Sequence, residues 1–428
     1  MKRLKTTRLL QVVAVNAAAA AMLMGPPSAQ AVPSFARQTG MPCAACHTVF
    51  PELTSFGRQF KLNGYTLTGL SQIQAPSGSS TGGLKINEIP PLSAMLLVGV
   101  THNKTTSGTQ NNDVQFPDQL SFFFAGEITP HIGSFLQITY TQADDKFGWD
   151  NADIRYANHT KIGGKDTIYG LTLNNSPTVE DPWNTTAAWG FPFVGSSTAA
   201  GPTAAAIVDG TLGQDVAGLG GYAMWNSHLY GDVTLYRSAH LGQGAPDVGS
   251  SNTIKGVAPY WRVAWEQNIG KNTLEVGAYG METKMYPNGV SGETDDYTDT
   301  ALDAQFEMPI SNDLLAIHTT YIHEKQKLHV TDPGNNHKLN TFRLNGIYHW
   351  GNRADAALGY FSMTGDSNPL WNTANGKPDT RGWVGQVTYL PWQNTKFGLQ
   401  YTGYSKFDGT SSGASDNNSV YLFGWFMW

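Results

Sequence analysis

Charge is scarce in this chain. Lys plus Arg number 27 and Asp plus Glu 33 in 428 residues, a formal net charge of −6, and only 14% of residues are charged. A soluble domain usually carries roughly 25%. With no basic excess there is nothing to displace counterions from phosphate, which argues against nucleic acid as a partner. Long apolar runs are also missing. Beyond the N-terminus no stretch approaches the ~18 apolar residues that mark a membrane helix, which excludes a helical membrane protein. Cysteine is nearly absent, with two in the whole chain. What is abundant is glycine, 47 residues, and aromatics, 11%. That many rings bury too much surface for a disordered chain. An uncharged polar surface with apolar residues spread thinly suits a β-rich membrane barrel.

The N-terminus reads as an export signal. Lys2, Arg3, Lys5 and Arg8 precede an Ala-rich apolar stretch over 9–24, and Ala29-Gln30-Ala31 forms a small-residue cleavage site. Gln11 and Asn16 interrupt a run already short for a retained anchor. Cleavage after Ala31 is expected; it removes four positive charges and no negative one, leaving an exported acidic chain.

Both cysteines fall in Cys43-Ala44-Ala45-Cys46-His47. C-x-x-C-H is the attachment signature of a c-type haem: two thiols add to the vinyl groups, and the histidine becomes the proximal iron ligand. A redox dithiol or half of a zinc site are the other readings. Zinc needs further ligands at suitable spacing and no second Cys pair exists; a redox dithiol wants a βαβ context that the flanks do not supply. Pro51-Glu52 opens and Asn63-Gly64 closes an expected helix, along which Leu53, Phe56 and Phe60 share one apolar edge. That edge serves a haem face or simply a small core. The sequence therefore divides into a leader over 1–31, a haem module over 32–76, a Gly- and Ser-rich linker over 77–88, and a large remainder over 89–428.

In that remainder the period is two. Leu302, Ala304, Phe306 and Met308 alternate with Asp303, Gln305 and Glu307; Trp261, Val263 and Trp265 alternate with Tyr260, Arg262, Ala264 and Glu266. Sixteen such segments can be marked, the first near 90–102 and the last near 417–428. Connections after even segments are short, as at Gly270-Lys271 and Gly351-Asn352. Those after odd ones are long and polar, as over 102–116, 175–215 and 365–380. One apolar and one polar face, an even count and alternating loop lengths predict an all-β fold, a 16-stranded antiparallel transmembrane β-barrel behind a small N-terminal α-helical module.

Phe35-Ala36-Arg37-Gln38-Thr39-Gly40 before the haem motif and Phe56-Gly57-Arg58-Gln59-Phe60-Lys61-Leu62-Asn63-Gly64-Tyr65 after it resemble the outer-membrane fused cytochrome c–porin family, which includes iron-oxidising outer-membrane cytochromes. About a tenth of the chain carries that resemblance; over the barrel it is one of architecture. It implies one covalent c-type haem at Cys43 and Cys46, ligated by His47 and held in or at the mouth of the barrel. It implies an outer-membrane protein, embedded in lipid, that takes electrons from extracellular Fe(II) or a similar donor. They would pass to a periplasmic carrier such as a soluble cytochrome. A conduit for a different donor, or a diffusion porin with a haem-bearing plug, are the alternatives.

For the sixth iron ligand Met95 is the candidate, on lumen parity with Ser93 and Thr101, because a thioether raises the haem potential. His318 and His349 also fall on lumen parity. Asp303, Glu307, Glu275, Arg262 and Arg343 are expected to line a solvated pore. Acidic pairs Asp144-Asp145, Glu180-Asp181 and Asp295-Asp296 are expected on surface loops, where hard oxygens could attract Fe(II). Because an even strand number leaves both termini on the short-turn side, the module is expected to enter the lumen from there and plug it.

Overall fold

The computed structural model describes residues 32–67, 72–74, 85–105, 113–141, 145–239, 253–287, 289–371, 373 and 375–428. The leader expected over 1–31 and the Gly- and Ser-rich run over 77–83 lie outside the described residues. Three short helices come first: α1 Pro33–Thr39, α2 Cys43–Cys46 and α3 Ser55–Leu62. Sixteen barrel strands follow. The first eight are β1 Leu92–Asn103, β2 Asp113–Thr129, β3 Ile132–Thr141, β4 Lys146–Ile162, β5 Lys165–Asn174, β6 Val216–Trp225, β7 Leu229–Ser238 and β8 Ala258–Ile269. The second eight are β9 Asn272–Tyr286, β10 Asp295–Ile310, β11 Asp313–Lys327, β12 Asn336–Trp350, β13 Ala354–Gly365, β14 Thr380–Trp392, β15 Thr395–Lys406 and β16 Ser419–Met427.

Each strand pairs antiparallel with the next, and β16 returns to β1 with Met427 opposite Met95, so the sheet closes. A two-residue strand, Thr253–Ile254, adds to the end of β9, and another short pair joins Gln72–Gln74 to Lys85–Asn87. Residues 85–87, expected within the linker, are therefore a strand.

The alternation read from the sequence is physical. Leu302 is 63% exposed on the outer face while Asp303 beside it is 4% exposed in the lumen. Leu171, Leu219, Val233, Leu358 and Leu422 continue the outward apolar surface, and Trp350, Trp392 and Trp428 stand exposed at the short-turn rim. Such a band belongs against hydrocarbon, with amphipathic rings at its edge. The turns obey the same logic. Gly163 and Gly164 both have positive φ in the β4–β5 turn, and Gly270 supplies one at β8–β9, a conformation that costs glycine least.

The lumen is filled from both ends. The β5–β6 connection, residues 175–215, folds inward instead of outward. Ile207 donates its backbone N–H to Glu324 Oε2 (2.6 Å), Val208 donates to Asp299 Oδ2 (3.0 Å), and Arg343 donates to Asp209 Oδ2 (2.6 Å). Glu180 and Asp181, expected on a surface loop, are buried by this inward fold: Asp181 accepts from Trp183 and Thr186, and Glu180 from Tyr236. Asp295 is also buried, accepting from the N–H of Val330. Asp144 lies outside the described residues. Asp303, Glu275 and Arg262 do face inward, but as a buried ion cluster: Arg262 Nη2 lies 2.6 Å from Asp303 Oδ2 and 3.2 Å from Glu275 Oε1. Pairing of this kind is what makes buried charge tolerable.

Candidate functional site

The helical segment enters from the short-turn end and is bolted to the wall by charge. Arg58 donates twice to Glu307, at 2.9 and 3.0 Å, and its Nε lies 3.2 Å from Glu266. Lys61 donates to the carbonyls of Val179 (2.6 Å) and Asp181 (2.8 Å) on the inward loop. Lys396 of β15 donates to the Phe50 carbonyl at 2.9 Å, Tyr65 to Asp153 at 2.7 Å, and Tyr222 to the Leu62 carbonyl at 2.7 Å. The segment is thus a plug seated on lumenal side chains. Arg58→Ala strips a bidentate partner from buried Glu307 and is expected to destabilise the seated plug by about 3–5 kcal/mol. The check is a lower denaturant midpoint for the intrinsic tryptophan signal, only partly restored in Arg58→Lys.

Within the plug, α2 is a single helical turn holding Cys43 and Cys46, and His47 donates its N–H to the Cys43 carbonyl at 2.8 Å. The chain then doubles back so that His47 pairs with Leu53, and Thr54 donates to the Cys46 carbonyl at 2.9 Å. α3 starts at Ser55 rather than at Pro51, because the Thr54 hydroxyl caps it by accepting from Gly57 N–H at 3.1 Å. Gly57 must be glycine: a Cβ there would stand 2.1 Å from the Cys46 carbonyl oxygen. The helix ends as expected, at Asn63, with Gly64 at φ +70°. Leu53 and Phe60 share one cavity, while Phe56 borders a different, small crevice.

That cavity, of about 330 Å³ and partly open, lies between the plug, the inward loop and the wall. Cys46 and His47 border it; Cys43 is 2% exposed and does not. Its walls are mostly apolar and rich in aromatic rings, with Phe35, Phe60, Phe123, Phe135 and Trp189 among them. Met95 borders it as its parity predicts, and so does Met427, its cross-strand neighbour.

The state of His47 follows from geometry. Its Nδ1 lies 3.2 Å from the Glu52 carbonyl oxygen. A carbonyl only accepts, so Nδ1 carries the hydrogen and Nε2 keeps a bare lone pair. Burial pushes the imidazole down to about 4, which keeps it neutral. Neutral, with Nδ1–H held by a carbonyl, is the form a metal-ligating histidine takes. The thiols go the other way: burial pushes Cys46 up to about 11 and Cys43 higher still. A redox dithiol needs the opposite shift, and among the described residues no group of three or more His, Cys, Asp or Glu is arranged for a metal ion.

His318 and His349 face the lumen but do not border the cavity. They bracket the fully buried Glu52: His349 Nε2 lies 2.9 Å and His318 Nε2 3.4 Å from its carboxylate. Burial raises that carboxyl, but the two imidazoles and Thr48 outweigh it and hold Glu52 below its ordinary range. Both histidines therefore fix the loop that carries His47.

No protein-family model matches the sequence, and no curated protein matches it significantly. Solved structures share the architecture. OmpF of Salmonella typhi, in complex with daunomycin, superposes with a TM-score of 0.50 at 14% identity, covering 79% of this chain and 97% of that one. The fold is that of an outer-membrane porin. The DcaP channel of Acinetobacter baumannii (12% identity, 79% and 96% covered, TM-score 0.46) is also similar. So is an anion-selective porin from Comamonas acidovorans (10%, 79% and 98%, 0.46).

Met427 and Glu52 are the site residues that sequence reasoning missed. Met427 carried a signal, since it shares inward parity with Tyr421 and Phe423. Glu52 carried none, being one acid in a short helix-opening pair.

Proposed function

We propose that this chain is a monohaem c-type cytochrome–porin of the outer membrane. It oxidises extracellular Fe(II) and delivers the electrons to a periplasmic carrier such as a soluble cytochrome. One haem would be held through Cys43 and Cys46, three residues apart on one helical turn, with Cys46 on the cavity and Cys43 buried behind it. His47 would be the iron's proximal ligand, and Met95, with Met427 beside it, would be the distal candidate. The haem, when bound, supplies a one-electron Fe(III)/Fe(II) couple. The protein's residues do the rest. Glu52 orients His47 through its carbonyl, the aromatic walls exclude water, and a methionine thioether raises the potential toward what a ferrous donor requires. A leader cleaved after Ala31 would export the chain.

The observation that carries this reading is His47, its Nε2 lone pair bare and its ring on an aromatic-rich cavity inside the barrel. A lumen filled by plug and inward loop favours an electron conduit over a diffusion porin. Fe(II) added to intact cells is expected to reduce the haem, seen as sharpened α-band absorbance, and a membrane-impermeant oxidant should reverse it. If only membrane-permeant reductants bleach or sharpen the band, the extracellular-iron reading fails.

A further inference from the structure

β4 breaks its own alternation where it faces the cavity. Leu136 of β3 pairs with Ala152 and Ile138 with Trp149, so Gln137 stands opposite two residues, Asp150 and Asn151. Before this bulge Phe147 and Trp149 point outward, 55% and 51% exposed; after it Asp153 and Arg155 point inward with no exposure. The inward parity switches from even to odd at the bulge, and Asp150 and Asn151 both border the cavity. Bulges of this sort re-aim side chains next to functional sites. Gln137 and, on β2, Gln119 border it as well, the latter beside a second register shift, between Leu97 and Gly99.

These four side chains, on adjacent strands β2, β3 and β4, bring amide and carboxylate groups to one wall of a chamber whose remaining lining is mostly apolar. Asp150 is the only carboxylate among the described residues that border it. Its oxygens are oriented by the Thr139 hydroxyl (3.0 Å) and the Asn151 N–H (2.9 Å), and Gln137 donates to the same Thr139 at 3.1 Å. Gln119 makes no side-chain hydrogen bond among the described residues. The one ammonium on the chamber, Lys61, is committed to two carbonyls and lies over the Trp189 ring. A carboxylate flanked by amide oxygens suits a hydrated divalent cation of the Mn(II)/Fe(II) kind, and too few protein ligands are present to hold it tightly.

We infer that Asp150, with Gln119, Gln137 and Asn151, forms the entry site at which hydrated Fe(II) docks beside the haem. This rests on the iron-donor reading above. Fe(II) docked there would give up one electron and leave as Fe(III), and a ferric haem held by Cys43, Cys46 and His47 would take up that electron; no proton or further reactant is required.

The test uses the purified haem-loaded full chain and Mn(II), whose free six-line spin-resonance signal disappears on binding. The wild type should bind one Mn(II), and Asp150→Asn should weaken that binding on the order of tenfold or more, the scale on which changes around a metal site act. Haem reduction at low Fe(II) should slow by a similar factor, while reduction by dithionite stays unchanged. Gln119→Leu, which keeps every contact of Asp150, should weaken Mn(II) binding less, and Asp150→Glu should restore part of it. Unaltered Mn(II) binding and Fe(II) rates in both Asp150→Asn and Gln119→Leu would overturn the site while leaving iron as donor. Mn(II) binding lost in Asp150→Asn, in a protein whose wild type Fe(II) never reduces, would support the cation site and overturn the iron reading instead.

Discussion

Replacing Cys43 and Cys46 together by alanine is expected to abolish covalent haem. The wild-type chain should keep peroxidase staining on a denaturing gel and give the alkaline pyridine spectrum of a c-type centre; the double variant should lose both completely. The reason is chemical: these are the only two cysteines in the chain, so no other thioether can form. The barrel itself should survive, because both cysteines lie on one turn of the plug and neither forms a disulfide. A heat-modifiable gel position unchanged from wild type checks that. Staining that persists in the double variant would refute haem attachment at this motif.

Deleting residues 32–83 is expected to open the pore. In planar bilayers the intact protein should show little ion conductance, since the plug and residues 175–215 occupy the lumen from opposite ends. Removing the plug vacates the chamber and frees Glu307, Asp153 and Lys396 from Arg58, Tyr65 and Phe50. These side chains then rehydrate as an ordinary polar pore lining. Conductance should rise from the baseline leak to stable steps. The steps should stay smaller than those of an open porin, because Arg343–Asp209 and the Val208–Asp299 contact still hold the inward loop. Large steady conductance from the intact protein would show that the plug does not seal.

Much of this molecule is legible in one dimension. Strand positions, the even count and the alternation of turn lengths could be read because a lipid-facing residue and a lumenal one must alternate along every strand. The same parity rule placed Met95, Arg262, Asp303 and Glu307 inward. It failed at Asp150-Asn151, where a bulge makes two neighbours face the same way. It also could not weigh Glu180, Asp181 and Asp295. Acidic pairs between strands read as solvated, but Glu180 and Asp181 are buried against Tyr236 and Trp183 because residues 175–215 turn into the lumen, and Asp295 is buried at the start of β10, where Val330 donates to it.

By itself the sequence determined what depends on local pattern: a strand-rich chain with one apolar face on each strand, and a C-x-x-C-H turn whose residue types speak for covalent haem. Tertiary structure alone decided what depends on closure. Ring closure of β16 onto β1 sets Met427 beside Met95, although more than three hundred residues separate them in the chain. Insertion of the plug brings Glu52 between His318 and His349, and so fixes which nitrogen of His47 stays bare. The physical reason is that a barrel wall is specified residue by residue through its period of two. The contents of its lumen are specified by which buried charges find partners across the bore, and those pairings have no period at all.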